Sequence, residues 1–529
     1  MTTQNKDAAK EVKKDDMRTG KSTGGAEGKT QQIHELRIAT IGNVDSGKST
    51  LIGVLTGGEL DDGRGRARSK IFNLRHEAET GRTSSISQHL VGINAEGKLV
   101  HSNTHKGGGV HLTTAQKYKS WREVMEVSKS VITFVDLCGH EKYLKTTICG
   151  LTGTFPDYAC LVVGANMGVT KMTKEHLGIV LALKIPFYVI LTKVDICPPN
   201  VLKRTKDKLV KILKSRFAKK MPFEVRDEKD VATCLKNQSS KLTPIFSLSA
   251  VTGKGVKRLE SYLSGLAPRQ TWDSEAKNVE FSIEETFNVT GVGVVVSGSV
   301  TKGRLIANSK MLLGPFSDGG FRPVLAKTLQ RKRVPMSVCN AGESCAVAIR
   351  YLKSKESLKR SDVRRGMVLV DPTSEPKATV SFEADILVLH HPTTIKENYQ
   401  SVIHCHNVRQ TAKMVKINGV RSMKKKKQDK PGAPVKKAEN DSKGVCLRTG
   451  NKASVLFRFM ARPEVLHEGS TIIFREGTTK GVGKVRKVFN DSYKDTTAYS
   501  QLEVQKKNER TTTSKKSRRR TKGHAAPRL

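Results

Sequence analysis

Acidic residues are scarce in this chain beside its basic ones. Fifty Asp and Glu stand against 94 Lys and Arg in 529 residues, leaving a formal net charge of +44. A balance this lopsided points to a polyanionic partner, either nucleic acid or an anionic membrane surface. Paired cysteines are missing too. The nine cysteines are scattered, odd in number and never spaced Cys-x-x-Cys. That excludes a disulfide framework and a zinc ribbon, and fits a reduced intracellular environment. Long apolar runs are also absent. The greasiest stretch, "LGIVLALKIPFYVIL" from Leu177 to Leu191, is cut by Lys184 and Pro186 and is too short to span a bilayer. Its halves read as a buried helix and a buried strand. The opening "MTTQNKDAAKEVKKDD" has no apolar core of a secretory leader. A soluble, cytoplasmic chain with no membrane partner is therefore expected.

What is present divides along the chain. A length of 529 residues exceeds one core and suggests about three domains. Residues 1–33 are polar, Gly- and Lys-rich, and read as a disordered arm. From 34 to 270, apolar strands such as "LRIATI", "VITFVDL", "DYACLVVGA", "PFYVILT" and "LTPIFSLS" alternate with helical patterns. That alternation predicts an α/β domain with a doubly wound, mainly parallel sheet. Residues 271–375 turn to β-branched runs with frequent glycines ("VVVSGSVTKG"), the texture of an antiparallel β-barrel. A second barrel is expected over 376–490, interrupted by a Lys-rich insert at 421–443. A basic tail, 491–529, ends the chain. No tandem repeat is visible, and a monomer is expected.

The chemistry starts where β rhythm stops. Gly42, Asn43, Val44, Asp45, Ser46, Gly47, Lys48 and Ser49, followed by Thr50, fit G-x-x-x-x-G-K-[ST] at a strand-to-helix turn. Glycines let backbone N–H groups turn in around phosphate oxygens, and the helix N-terminus adds partial positive charge. Lys48 suits the β and γ phosphates, and the Ser49 hydroxyl suits Mg2+. Three further patterns follow, each at the end of a predicted strand. Asp136-x-x-Gly139 offers a carboxylate for a Mg2+-bound water and an N–H for a γ-phosphate. Thr192-Lys193-Val194-Asp195 places a carboxylate that can pair with the donor edge of guanine, and adenine would leave it unpaired. Ser249 and Ala250, in "SLSAVTG", can back up the base. Each pattern alone is weak, and together they specify GTP and GDP as ligands.

Longer runs carry a resemblance. "GNVDSGKST" with "DLCGHEKY" resembles the translational GTPases of the elongation factor Tu and elongation factor 1-alpha superfamily. "GELDDGRGRARSKIFNLRHEAETGRTSSIS", "FEADILVLHHPTTI" and "FREGTTKGVG" resemble the GTP-binding protein 1 and 2 family, over about Leu36 to Val485. The resemblance implies that Thr83 is the switch threonine that closes over Mg2+ and γ-phosphate. It implies that His140 orients the attacking water, and that Asp45 can help hold a monovalent cation. Plainer roles exist for both, a loop cap for Thr83 and a structural histidine for His140. Two positions depart from the elongation factors. Arg82 stands where they carry a gating isoleucine, and Thr192 replaces the usual asparagine.

The expected activity is hydrolysis of GTP with Mg2+ by a conformational switch that works with ribosomes, tRNA or other structured RNA. Catalytic weight falls on Lys48, Thr83 and His140, and the metal set on Ser49, Thr83 and Asp136. The rival reading is a GTP-switched RNA-binding adaptor coupled to mRNA decay machinery. The basic segments yield a prediction of their own. Lys506 to Arg528 holds ten Lys/Arg and one acid, and Arg421 to Lys443 holds nine basic residues against three acidic ones. Neither has an amphipathic stripe, so RNA phosphate suits them better than lipid. Deleting both should leave unstimulated GTP turnover unchanged, weaken binding to ribosomes or structured RNA, and flatten log affinity against log salt. A salt titration that keeps its slope would move the phosphate contact to the folded domains.

Overall fold

The computed structural model describes residues 34–72, 74–102, 116–118, 120–238, 241–269, 271–332, 334–352, 357–422 and 446–489. The expected N-terminal arm, the basic tail and nearly all of the Lys-rich insert lie outside the described residues. Arg421 and Ser422, the first two residues of that insert, end the strand Val408–Ser422.

Nine strands form the first sheet: β1 (His34–Gly42), β2 (Ser87–Ile93), β3 (Leu99–Ser102), β4 (Gln116–Tyr118), β5 (Ser130–Asp136), β6 (Tyr158–Gly164), β7 (Phe187–Thr192), β8 (Met221–Glu224) and β9 (Leu242–Ser247). Their order is β4-β3-β2-β5-β1-β6-β7-β9-β8. From β5 to β8 every neighbouring pair is parallel. β2 runs antiparallel to β5, a wing the sequence reading did not include. The helices are α1 (Lys48–Gly57), α2 (Arg66–Ser69), α3 (Arg75–Thr80), α4 (Trp121–Val127), α5 (Leu144–Gly153), α6 (Lys171–Ala182), α7 (Pro199–Leu213), α8 (Glu228–Lys236) and α9 (Val256–Ser264). None of the described helices is long and apolar enough to cross a membrane.

Apolar alternation on β1 explains the layering. Leu36 and Ile38 face one core with Phe134, Tyr188 and Phe246. Ala39 and Ile41 face the other with Val135, Leu161 and Val189. A strand buried on both faces must be flanked by strands and covered by helices, which is the expected doubly wound layer. The strand order reverses at β1, so the carboxyl ends of β1, β5 and β6 form the crevice where such sheets take ligands.

Two antiparallel barrels follow. In the first, strands Glu280–Val289, Gly293–Lys302, Ser344–Tyr351, Arg322–Arg331, Ser309–Gly314 and Val368–Val370 close on one another, around Phe281, Val296 and Val347. The second is a closed six-stranded barrel around Phe382, Phe457 and Phe474. Gly481 is obligatory there, since a Cβ would lie 2.1 Å from the Phe474 ring.

Polar contacts seat the barrels on the first domain. Glu35, at the start of β1, is buried and pairs with Lys332 at 3.1 Å, Arg37 at 3.4 Å and Arg331 at 3.7 Å. Arg37 also donates to the Thr154 carbonyl, the Ser299 hydroxyl and the Gly342 carbonyl at 2.7–3.1 Å. The second barrel brings its His-Cys-His-Asn turn to the end of α5. There Thr152 donates to the His406 carbonyl at 2.9 Å, and the His406 ring stacks on Phe155 at 5.0 Å. Asn407 donates to Ser282 of the first barrel at 2.9 Å, so three lobes meet at one turn.

Burial alone would raise the Glu35 pKa, but Lys332, Arg37 and Arg331 overcome it and hold the carboxyl far below the ordinary 4.5. Its stabilisation is therefore complete above about pH 4.5 and is lost as pH falls toward the folded pKa. Glu35→Gln should cost about 3–5 kcal/mol at neutral pH, because it leaves buried cations short of an anion. Denaturant titrations from pH 7 to pH 3 should show the gap between wild type and variant narrowing as the pH drops.

Candidate nucleotide site

The turn after β1 is shaped by close approach. Gly42 has φ 154°, and a Cβ on it would lie 2.2 Å from the Val162 carbonyl oxygen on β6. Asp45 (φ 57°) and Gly47 (φ 85°) reverse the chain, and Gly47 caps α1 without any side-chain acceptor. The first N–H groups of α1 therefore open onto a cleft of about 270 Å³, lined by Val44, Asp45, Lys48, Ser49, Thr83 and His140 among others. Lys48 crosses the mouth of the loop and donates to the Asn43 carbonyl at 2.8 Å, as the Ser46 hydroxyl does at 2.9 Å. Gly139 presses against that loop, so tightly that a Cβ would lie 2.6 Å from the Lys48 ammonium.

Three segments converge beside Lys48. Asp136, at the end of β5, is buried, and its Oδ2 accepts from Ser49 at 2.7 Å and Thr83 at 3.2 Å. The two hydroxyls lie 2.9 Å apart. The other carboxylate oxygen, Oδ1, is buried with no hydrogen-bond partner among the described residues. Burial raises the Asp136 pKa against the pull of Lys48, and burial lowers the Lys48 pKa against the pull of Asp136. An orphaned carboxylate oxygen beside two hydroxyls is an all-oxygen donor set. It fits a hard cation such as Mg2+, which keeps waters and substrate phosphate oxygens in its remaining positions. No cluster of three or more His, Cys, Asp or Glu able to hold a metal occurs among the described residues.

Thr83 is delivered by a residue that the sequence reading missed. Glu77 of α3 is buried, and its Oε1 accepts from the N–H and hydroxyl of both Ser84 and Ser85 at 2.7–2.9 Å. Burial works against the charge, but those four donors win and hold its carboxyl below the ordinary range. The only sequence signal is an acid eight residues before Ser85 in a basic stretch. Arg82 is exposed, with its guanidinium 3.9 Å from Asp45. His140 is exposed at the cleft, and its Nδ1 accepts from the Lys142 N–H at 3.1 Å. That contact leaves the proton of the neutral imidazole on Nε2.

The residues expected to read the base do not line this cleft. Thr192 is buried and its hydroxyl donates to the Ser46 carbonyl at 2.6 Å, so it braces the phosphate loop. Lys193 follows at φ 59°, and Asp195 is exposed. Ser249 is buried, its hydroxyl accepting from the N–H groups of Val251 and Thr252 at 3.3 and 3.1 Å. The Ala250 carbonyl accepts from the Asp61 N–H at 3.0 Å, which ties this loop to the segment leading into α2.

Known proteins share this arrangement. The Elongation factor Tu GTP binding domain matches residues 34–269, and the GTP-eEF1A C-terminal domain-like family matches 381–486. GTP-binding protein 1 of Xenopus laevis is 43% identical over 87% of this chain and 64% of its own length. GTP-binding protein 2 of Mus musculus is 40% identical over 87% of this chain and 70% of its own. This chain thus spans about two thirds of the length of these relatives. The solved translation elongation factor SelB from Methanococcus maripaludis, in complex with the GTP analogue GppNHp, superposes with a TM-score of 0.57. It is 17% identical and covers 88% of this chain and 81% of its own, a likeness of fold. With the phosphate loop, the Asp136 crevice and two closed barrels in one chain, this protein belongs to the GTP-binding protein 1 and 2 family within the translational GTPase superfamily.

Proposed function

We propose that this chain binds GTP and hydrolyses it to GDP and phosphate as a switch acting on ribosomes or tRNA-like RNA. The observation that carries the reading is the meeting of Ser49, Thr83 and Asp136 around a buried, unpartnered carboxylate oxygen next to Lys48. Mg2+, when bound by those three residues, supplies charge neutralisation between the phosphates. The chain's own residues do the rest. Lys48 and the first N–H groups of α1 hold phosphate oxygens, and Asp195 reads the guanine edge with Ser249 and Ala250 behind it. His140 stands at the cleft to orient a water through Nε2. Thr83 joins the set only while Glu77 holds its loop. Loss of the γ-phosphate would remove the anion that Lys48 and Thr83 face, favouring release of that loop and a shift of the barrels against the first domain. The RNA part of the reading is supported by the charge of +44 and by the likeness to a translation elongation factor.

Two substitutions test the two ends of the site. Asp195→Asn replaces an acceptor with a donor, so GTP should bind more weakly and xanthosine triphosphate more tightly. A competition assay with an unchanged preference would remove Asp195 from the base site. His140→Ala should leave GTP affinity within about threefold of wild type, while ribosome-stimulated phosphate release falls by roughly 10²-fold. Parallel loss of binding and turnover would make His140 structural.

A further inference from the structure

Arg68 also faces the phosphate cleft, and among the described residues nothing answers its charge. It lines the same cavity as Lys48 and Thr83 and is only partly exposed. Among the described residues its guanidinium has no ion pair or hydrogen bond. Its neighbours differ: Arg66 approaches Glu59 at 3.9 Å, and Arg82 approaches Asp45 at 3.9 Å. A half-buried cation without an anion beside an anion-binding loop is costly unless a ligand supplies the charge.

The position is built. Asp61 accepts from the Ala67 N–H at 2.8 Å, and its own N–H is held by the Ala250 carbonyl at 3.0 Å. Gly53 of α1 lets the backbone of α2 press close, since a Cβ there would lie 2.2 Å from the Ala67 carbonyl oxygen. The short helix carrying Arg68 is thus pinned to both the base loop and the helix behind the phosphate loop. Its side chain then runs between two glycines. A Cβ on Gly65 would lie 2.4 Å from Arg68 Nε, and one on Gly81 would lie 3.4 Å from Cζ. Gly81 is two residues before Thr83, so the guanidinium lies at the switch end of the cleft.

We propose that Arg68 is a catalytic arginine supplied in cis, stabilising the charge that develops on the transferred phosphoryl group. The inference rests on the hydrolytic reading above. In that reaction the water oxygen bonds to the γ-phosphorus as its bond to the β–γ bridging oxygen breaks. GDP leaves with that electron pair, and the water's proton passes to the phosphate product. A planar guanidinium at the switch end of the cleft presents two N–H donors that can meet that charge bidentately.

The test uses the full chain in single-turnover hydrolysis, GDP binding, and binding of GDP with aluminium fluoride, a mimic of the transferring group. Arg68→Ala should slow the chemical step by about 10³-fold, hold GDP affinity within about threefold and abolish the aluminium fluoride complex. Arg68→Lys keeps the charge but not the fork, and should recover at most about tenfold of the lost rate. Either variant hydrolysing within threefold of wild type overturns the proposal. So does a loss of GDP affinity matching the loss of rate in both variants, which would make Arg68 a plain phosphate binder. Wild type that never turns over GTP would sink the hydrolytic reading itself, a result visible without either variant.

Discussion

Two opposite charges buried in one crevice, Lys48 and Asp136, are the constraint around which the first domain is arranged. Neither charge is stable alone in that crevice, since burial disfavours each and the other offsets that only in part. Keeping them together requires β1 and β5 to be adjacent and in register, Ile38 beside Phe134 and Thr40 beside Asp136. It also requires a glycine at 139, where the backbone passes the ammonium too closely for a side chain. The hydroxyls of Ser49 and Thr83 satisfy one carboxylate oxygen, and the other oxygen is left for a cation. A crevice with this much unspent polarity is a poor structural device and a good ligand site.

β1 carries a second buried charge cluster at its opposite end. Glu35 and Arg37 seat the first barrel, while Gly42 opens the phosphate loop seven positions beyond Glu35. The strand between them is buried on both faces and hydrogen-bonded on both edges. Domain docking and ligand binding are thus mounted on one rigid element. The contacts at its amino end join residues some 300 positions apart, so they exist only once both domains have folded.

Contiguous patterns were the legible part of the chain. The phosphate loop, Asp136-x-x-Gly139 and Thr192-Lys193-Val194-Asp195 each lie within a few residues, and each does fall at the carboxyl end of a parallel strand. The barrels were visible in their β-branched, Gly-rich texture. What escaped was set by distance. The Thr192 hydroxyl, standing where the elongation factors carry asparagine, bonds to the Ser46 carbonyl, 146 positions away. The wing of β2 and β3 turns at Asn94 to Gly97, where Asn94 accepts from two backbone N–H groups. That turn chemistry was readable, but the strand beside it is too short and mixed to announce itself. Glu77 and Arg68 matter through what they hold or face across space, and no local spacing marks them.

The junction at the far end of α5 has a mechanical consequence. The helix starts just after the Asp136-x-x-Gly139 segment and His140, and ends where Thr152 bonds to His406 and Phe155 stacks on the same ring. Ten helical residues make a stiff rod about 15 Å long. Tilting such a rod by roughly 10° at its cleft end sweeps the other end through about 2.6 Å, by its rise per residue. A hydrogen bond does not survive a sweep of that size, so a tilt of α5 would break the Thr152–His406 contact. In a switch of the proposed kind, motion beside the phosphates would reach the second barrel through this turn, while Glu35 and Arg37 keep the first barrel seated on β1.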